Sequence, residues 1–272
     1  MWVSYLPKFR QQLTAVTEVK TDAPTRLRFG TNGNAKLASG VWHFSILSGV
    51  TCPGASICKA WVATKTVDGK KVRRLAEGPD AELRCFSASQ EIAFNSLYDN
   101  RSHNTRLLKA AKTVEGMWQL ILESLSEHAG LVRVHIGGDF FSQEYFDAWM
   151  STAKSRPRTI FYAYTKSIHF WRNYLSRAKK LPTNFKMVAS MGGVFDNLVD
   201  KKRMCYAVIV NHPEEAEALG LPIEDGDDSM AQHAKHPFAL LLHGQQKAGS
   251  PAAGALKRMR EEGVEFGYKR KA

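Results

Sequence analysis

The sequence predicts an α/β protein whose main domain is a partial, open TIM-like β/α barrel of about six mostly parallel strands. The first observation behind this prediction is an alternation of apolar strands with helices of ten or more residues. Such alternation is typical of parallel strands joined by right-handed crossovers. The second is the number of strands, since six are too few for a complete eight-stranded barrel. The third is an Asp-Gly pair that predicts an inserted β-hairpin.

The first strand is expected at Val41–Leu47, which alternates and is rich in aromatic and β-branched residues. A cysteine loop follows it directly. The Asp-Gly pair at residues 68–69 lies between two β-prone runs, and a type I′ turn needs two residues that tolerate positive φ. A hairpin is therefore predicted between Cys58 and Cys85. Because a ribbon returns the chain to its starting point, Cys85 is expected beside Cys52 and Cys58.

Helical periodicity begins at Ser87, which resembles the start of a capping box with Gln90. Thr113 is expected to cap a second helix, and Ser142 a third. Pro213 and Gly220 have the positions expected at the start and end of a later helix. The other predicted elements are strands at Val132–Ile136, Thr159–Thr165, Phe185–Ser190, Cys205–Val210 and Phe238–Leu242, a helix carrying Trp171 and Tyr174, and a basic helix near 252–262.

The composition is that of a globular protein, with 44% hydrophobic and 24% charged residues in 272. We predict an N-terminal extension over 1–40, a barrel domain with the cysteines over 41–250, and a basic C-terminal segment over 251–272. The first residues lack the pattern of a signal peptide, and no apolar stretch approaches the roughly 18 residues that span a bilayer. The expected location is the cytoplasm, with no membrane partner.

The formal net charge of +12 favours polyanionic partners, and nucleic acid is one of them. Solvated turns and helix ends are the alternative explanation for these cations. No nucleic-acid motif is evident. The basic clusters are Lys70-Lys71 with Arg73-Arg74, Lys179-Lys180, Lys201–Arg203 and the cations of the C-terminal tail.

The chain has four cysteines: Cys52, Cys58, Cys85 and Cys205. In a reducing cytosol they are expected to be ligands rather than disulfides. Four converging thiolates would form a metal site, with a [4Fe–4S] cluster as the expected occupant. Zinc sites usually show paired Cys-x₂₋₄-Cys spacing, which is missing here, and free buried thiols are a further alternative. Cys205 alone could be a small core residue.

Two further segments follow predicted strands at the carboxyl edge of the sheet. Gly137 and Gly138 permit a sharp exit and close approach of a ligand, and Asp139 could accept a hydrogen bond from an amine. An ordinary strand-to-helix turn is the alternative. Lys166 could bind an anion or a carboxylate, or be a solvated lysine before a helix. His135 is one of several candidate acids, bases or ligands.

Four segments resemble the bacteriophage "gene product 88" family: Thr51–Cys58, His135–Tyr145, Phe161–Ser167 and Leu240–Gln245. The segment with Gly-Gly-Asp is the most specific of them, and the resemblance spans roughly residues 40–250. That family is largely uncharacterised. The resemblance therefore implies a phage or prophage origin, with the host cytoplasm as the location, rather than an activity.

More distantly, the layout resembles radical S-adenosylmethionine enzymes. The resemblance implies cluster ligands at Cys52, Cys58 and Cys85 and a site for the methionine amine at residues 137–139. Those enzymes use Cys-x₃-Cys-x₂-Cys and leave one iron open. The present spacing is longer, and Cys205 is available to close the cluster.

Three functions follow. The first is a protein that holds a [4Fe–4S] cluster on all four cysteines, for electron transfer to an unknown redox partner or for structural support. The second is an enzyme that uses three cysteines and S-adenosylmethionine. The third is a basic nucleic-acid-binding protein whose metal site is structural.

Overall fold

The computed structural model describes residues 25–31, 37, 39–224 and 226–264, with Lys71 described by its backbone alone. The strands are β1 Val41–Phe44, β2 Ala60–Val67, β3 Lys70–Glu77, β4 Leu131–Val134, β5 Ile160–Thr165, β6 Phe185–Ser190, β7 Tyr206–Val210 and β8 Phe238–Leu241. The helices are α1 Phe86–Ala93, α2 Asn95–Ala111, α3 Val114–Ser124, α4 Gln143–Ser155, α5 Ile168–Ala178, α6 Pro213–Ala218, α7 Ser229–His233 and α8 Pro251–Glu261, with a 3₁₀ helix at Asp196–Leu198.

Six strands form a parallel sheet in the order β1-β4-β5-β6-β7-β8. Apart from the hairpin, this order is that of the sequence, as in a β/α barrel. Within the described residues, β1 and β8 are the two edges. The predicted α/β fold with six parallel strands is therefore confirmed.

A separate apolar cluster covers the face of the sheet that lies away from helices α2 to α5. The cluster combines Val41 of β1, Tyr162 of β5, Val188 of β6 and Phe238 of β8. Leu131 of β4 and Ala207 of β7 belong to the same cluster, so apolar side chains cover this face from one edge strand to the other.

The larger core lies between the other face of the sheet and helices α2 to α5. Val132 and Phe161 of the sheet pack there with Ile121 of α3 and Trp149 of α4, all fully buried. Thr113 and Ser142 cap α3 and α4 by accepting from Gly116 N and Tyr145 N respectively, as predicted. The caps fix where each helix begins against the sheet.

The inserted hairpin is confirmed. Strands β2 and β3 pair antiparallel over their whole length, from Ala60 opposite Glu77 to Val67 opposite Lys70. At the tip, φ is +49° at Asp68 and +74° at Gly69. Both values lie in the region that a type I′ turn requires.

Some local predictions need correction. The capping box at Ser87 is wrong: α1 begins after Cys85, and the Ser87 hydroxyl contacts the Ser48 hydroxyl at 2.8 Å instead. The helical run after it consists of two helices, which meet at Phe94. Strand β4 ends at Val134, earlier than predicted, because His135 has a φ of +69°. The short α7 was not predicted.

The N-terminal extension is described only from residue 25 onward, with gaps, and its first 24 residues lie outside the described part. Gly30 pairs antiparallel with His43 along the β1 edge, and Leu27 is buried in the larger core. In the C-terminal segment α8 is described, whereas 265–272 lie outside. No helix among the described residues is both long and apolar enough to cross a membrane.

Candidate functional site

Most of the predicted site residues surround one cavity at the carboxyl ends of the strands. The loops after β1, β4 and β5 reach it, as does the start of α1. Parallel strands present their carboxyl ends at one edge, which is why loops far apart in sequence meet there. The predicted residues that line the cavity are Cys52, Cys58, Cys85, Gly137, Gly138, Asp139 and Lys166.

The loop with the first two cysteines is clamped against the sheet. Lys59 Nζ donates to Gly49 O at 2.8 Å and to Cys52 O at 2.7 Å, which closes the loop. Gly54 packs so tightly that a Cβ there would lie 2.1 Å from Lys166 O. Any side chain at this position would push the loop away from β5. Lys59 was not among the predicted site residues.

The three cysteines of the cavity are partly buried, and desolvation is the main influence on the pKa of each thiol. Burial raises the pKa of Cys52 well above its ordinary value, and the charges of Asp139, Cys85 and Cys58 raise it further. Burial also raises the pKa of Cys58, although the ammonium of Lys166 opposes the shift. For Cys85, burial is again the main cause and raises the pKa to about 11. The three groups influence one another because they are neighbours.

Backbone N–H groups face all three of these sulfurs, and at Cys58 the N–H is that of the same residue. Gly49 N donates to Cys52 Sγ at 3.3 Å. Cys85 is the N-cap of α1, and the amides of Ser87 and Ala88 lower the pKa of its thiol, against the larger effect of burial. Such donors stabilise a thiolate once its proton has been displaced.

Cys205 lies elsewhere. It precedes β7, at the opposite end of that strand from the cavity, and its carbonyl accepts from Ala189 N at 2.9 Å. Its thiol donates to His236 O at 3.1 Å and packs in the apolar cluster on the face of the sheet away from helices α2 to α5. Desolvation raises its pKa to about 11, and no other cysteine contributes. Three of the four predicted ligands line one cavity, whereas Cys205 lies in the apolar cluster as a small core residue.

The sulfurs are not arranged around a single ion. Across the described ranges, no group of three or more His, Cys, Asp or Glu side chains is close enough to hold one metal ion. A structural zinc site needs its ligands about 2.3 Å from one centre. An iron–sulfur cluster instead places its thiolates on different irons, so that they are separated by the cluster core.

Asp139 is a structural acceptor in this arrangement. Its Oδ1 accepts from Phe140 N at 2.7 Å and from Thr165 Oγ1 at 2.6 Å, and its Oδ2 accepts from Lys166 N at 2.9 Å. Burial raises its pKa, and these hydrogen bonds oppose the shift. The carboxylate thereby ties the end of β4 to the end of β5. An amine bound by Asp139, as predicted, would have to share these two oxygens with the three donors already present.

Lys166 is buried, with 7% of its surface exposed, so the alternative of a solvated lysine is wrong. Its Nζ donates to Ser190 O at 3.1 Å and to Met191 O at the end of β6. An ammonium has three N–H donors. Two are used here, and the charge lies beside Cys58.

The cavity floor holds a polar network that the sequence analysis did not predict. Arg133 pairs with Asp228, which also accepts from the hydroxyls of Tyr162 at 3.2 Å and Tyr164 at 3.3 Å. Arg133 lies over the Tyr164 ring, 5.1 Å from its centre. The only sequence signal was the alternation of β5, which points both tyrosines to one face. Nothing local indicated Asp228 as their partner.

A second buried network supports the cavity wall. Glu91 Oε1 accepts from Arg101 Nη1, Ser48 N and Ser48 Oγ, each at 2.9 Å. Arg101 Nη1 also donates to Ser87 Oγ at 2.7 Å. The ion pair therefore connects Ser48, which precedes the cysteine loop, to helices α1 and α2. It too was absent from the predicted site.

Fold and site together define an α/β protein with a six-stranded parallel sheet, an inserted β-hairpin and three partly buried thiols that line one cavity at the carboxyl edge of the sheet. The chain belongs to the gene product 88 family, whose family model matches residues 15–262. The predicted family is thus confirmed, whereas the comparisons show no relation to radical S-adenosylmethionine enzymes. Neither curated proteins nor solved structures gave a significant match.

Proposed function

We propose that this protein binds an iron–sulfur cluster through Cys52, Cys58 and Cys85, with one iron left open toward the cavity. The observation that carries the proposal is that these three thiols line one cavity at the carboxyl edge of the sheet. The Cys205 thiol donates to the carbonyl oxygen of His236, away from the cavity, which favours three ligands over four. A cluster closed by four cysteines would instead act as an electron carrier or a structural support.

The chemistry of the donor set fits a cluster. The desolvated thiols are protonated without metal, and binding exchanges their protons for iron. The thiolates that bind the cluster are negatively charged. The N–H of Gly49, which donates to Cys52 Sγ, and the ammonium of Lys166, which lies beside Cys58, compensate this charge. The separation of the sulfurs also disfavours the zinc alternative.

An open iron makes the protein an enzyme candidate, because a small molecule can bind the cluster directly. S-adenosylmethionine is the candidate that the resemblance suggests. The cluster would supply one-electron chemistry when bound. The chain would contribute the Asp139 carboxylate for an amine and the Lys166 ammonium for a carboxylate, beside the turn at Gly137 and Gly138 in the cavity wall.

The first experiment measures iron, acid-labile sulfide and zinc in protein purified without oxygen. We expect about four irons and four sulfides per chain, with a broad visible absorption band. Alanine variants of Cys52, Cys58 and Cys85 should each lose most of the iron. The matched control is Cys205→Ala, which should keep it.

Two outcomes would contradict the proposal. Zinc, or no metal, in the native protein would remove the iron–sulfur function. Loss of iron from a folded Cys205→Ala variant would show that Cys205 is a fourth ligand, so that no iron is left open.

A second experiment tests the enzyme half of the proposal. The reduced cluster is examined by electron paramagnetic resonance with and without S-adenosylmethionine. A changed spectrum is expected in the native protein and in Cys205→Ala, with a smaller change in Asp139→Asn. An unchanged spectrum of the native protein would exclude S-adenosylmethionine as a ligand of the cluster. It would not contradict the proposed iron content.

A further inference from the structure

The β2–β3 hairpin forms a basic ribbon, defined here as residues 60–77. Eight residues per strand give it a length of about 26 Å, at roughly 3.3 Å per residue. Its base adjoins the cavity, since β2 begins just after Cys58 and β3 ends shortly before Cys85. Its outer part, 64–70, is exposed.

The cations on one face of the ribbon are unneutralised. Lys65 lies opposite Val72 and Lys70 opposite Val67, while Arg74 lies opposite Ala63. Because side chains alternate along a strand, all three cations project from the same face. All three are exposed, and none takes part in an ion pair within the described part of the chain.

The opposite face anchors the ribbon to the body of the protein. Arg73 projects from that face, and its guanidinium lies 4.4 Å from the centre of the Tyr98 ring and donates to Asn95 Oδ1 at the start of α2. The ribbon is thereby held in one orientation. The face with Lys65, Lys70 and Arg74 is turned away from this anchor toward solvent.

We propose that the basic ribbon is a binding arm for double-stranded DNA. A two-stranded ribbon fits the major groove of B-form DNA, which is about 12 Å wide, whereas the major groove of duplex RNA is too narrow. Lysine and arginine on one face suit contacts to phosphates, which position a protein without reading sequence. The overall charge of +12 favours the encounter. The proposal is independent of the cluster.

Fluorescence anisotropy with a labelled mixed-sequence DNA duplex tests this arm on the full-length protein at several salt concentrations. The variant Lys65→Gln/Lys70→Gln/Arg74→Gln should weaken binding by about tenfold or more near 0.1 M salt. The slope of log Kd against log salt should fall by roughly 2 to 3, since each lost phosphate contact removes about 0.9. Circular dichroism and Tm verify folding.

Two matched variants make the test specific. Lys201→Gln/Lys202→Gln/Arg203→Gln removes the same charge from an exposed turn before β7, and it should change affinity much less. Lys65→Arg/Lys70→Arg/Arg74→Lys keeps the charge and should keep the affinity. Equal losses in the two glutamine variants would overturn the proposal. So would absence of DNA binding by the native protein at low salt, or tighter binding of single strands or duplex RNA.

Discussion

At the scale of single residues, Gly137 shows how the cavity wall is packed. A Cβ at this position would lie 2.2 Å from Ser87 Oγ and 2.7 Å from Arg101 Cζ. Its φ is not in the left-handed region, so space rather than backbone conformation requires glycine. The Gly-Gly-Asp segment is thus more than an ordinary turn. Because Gly137 has no side chain, it leaves room for the buried ion pair between Glu91 of α1 and Arg101 of α2.

We predict that Gly137→Ala lowers the free energy of unfolding by about 1–3 kcal/mol, the usual cost of overpacking. The physical reason is that neither Ser87 nor Arg101 can move without breaking the network around Glu91. Urea unfolding followed by circular dichroism provides the measurement.

Gly130→Ala is the matched control for this substitution. Within the described part of the chain, no atom beyond the two neighbouring residues lies within 4 Å of a Cβ at Gly130, and its φ is not positive either. Its effect should stay within about 1 kcal/mol of the native value. Equal destabilisation by both substitutions would show that the contact with Ser87 and Arg101 is unimportant.

At the scale of elements, α1 and α2 are joined by the ion pair of Glu91 and Arg101. Their side chains are only 0% and 4% exposed. Burial lowers the pKa of Arg101, and the charge of Glu91 opposes the shift. Because the pair also holds Ser48 and Ser87, it sets the position of α1 relative to the cysteine loop. Cys85, the N-cap of α1, depends on that position.

We predict that Arg101→Met destabilises the protein by about 3–5 kcal/mol, since it leaves a buried carboxylate unpaired. The double variant Arg101→Met/Glu91→Gln should be more stable than the single one, because an amide is neutral. Thermal unfolding at neutral pH measures both.

The control for this pair is the exposed ion pair between Arg258 of α8 and Glu262, the residue that follows this helix. Arg258→Met should have a much smaller effect, because solvent screens that pair. A double variant no more stable than Arg101→Met would argue against the unpaired charge as the cause.

At the scale of the whole molecule, the helix layer and the sheet are held by a core that includes one neutral histidine. His135 is buried between the sheet and α4, and its Nε2 lies 2.9 Å from the Tyr145 hydroxyl. Its Nδ1 has no hydrogen-bond partner among the residues that the structure describes. Burial lowers its pKa from 6.5 to about 3.

The stability of the fold should therefore depend on pH through His135. In the unfolded chain His135 becomes protonated below about pH 6.5, whereas in the folded chain it becomes protonated only near pH 3. The stabilisation by neutral His135 is present above pH 6.5 and is lost as the pH falls, by about 1.4 kcal/mol per pH unit.

Urea unfolding of the native protein and of His135→Asn across this range measures the dependence. The destabilisation caused by the substitution should shrink as the pH falls, because the variant lacks the group. His128 is exposed and offers a matched control for the substitution itself: His128→Asn should change the free energy of unfolding at neutral pH by less than about 0.5 kcal/mol. A constant difference between native and His135→Asn would contradict the assigned pKa.

The sequence by itself determined the order and type of most elements. The bounds predicted for the strand at Phe185–Ser190 are those observed, and the caps at Thr113 and Ser142 and the turn at 68–69 are present. These features rest on local interactions between residues a few positions apart. Their physical signal is therefore contained in short windows of sequence.

Only the tertiary structure decided which side chains share the cavity. Arg133 and Asp228 are 95 residues apart, and no local pattern pairs them. Cys205 directly precedes β7, at the opposite end of that strand from the cavity, whereas Cys52 lies in the loop after β1. Such placements depend on strand register, on the curvature of the sheet and on the paths of long loops. These are properties of the packed chain, because they arise from contacts between distant segments.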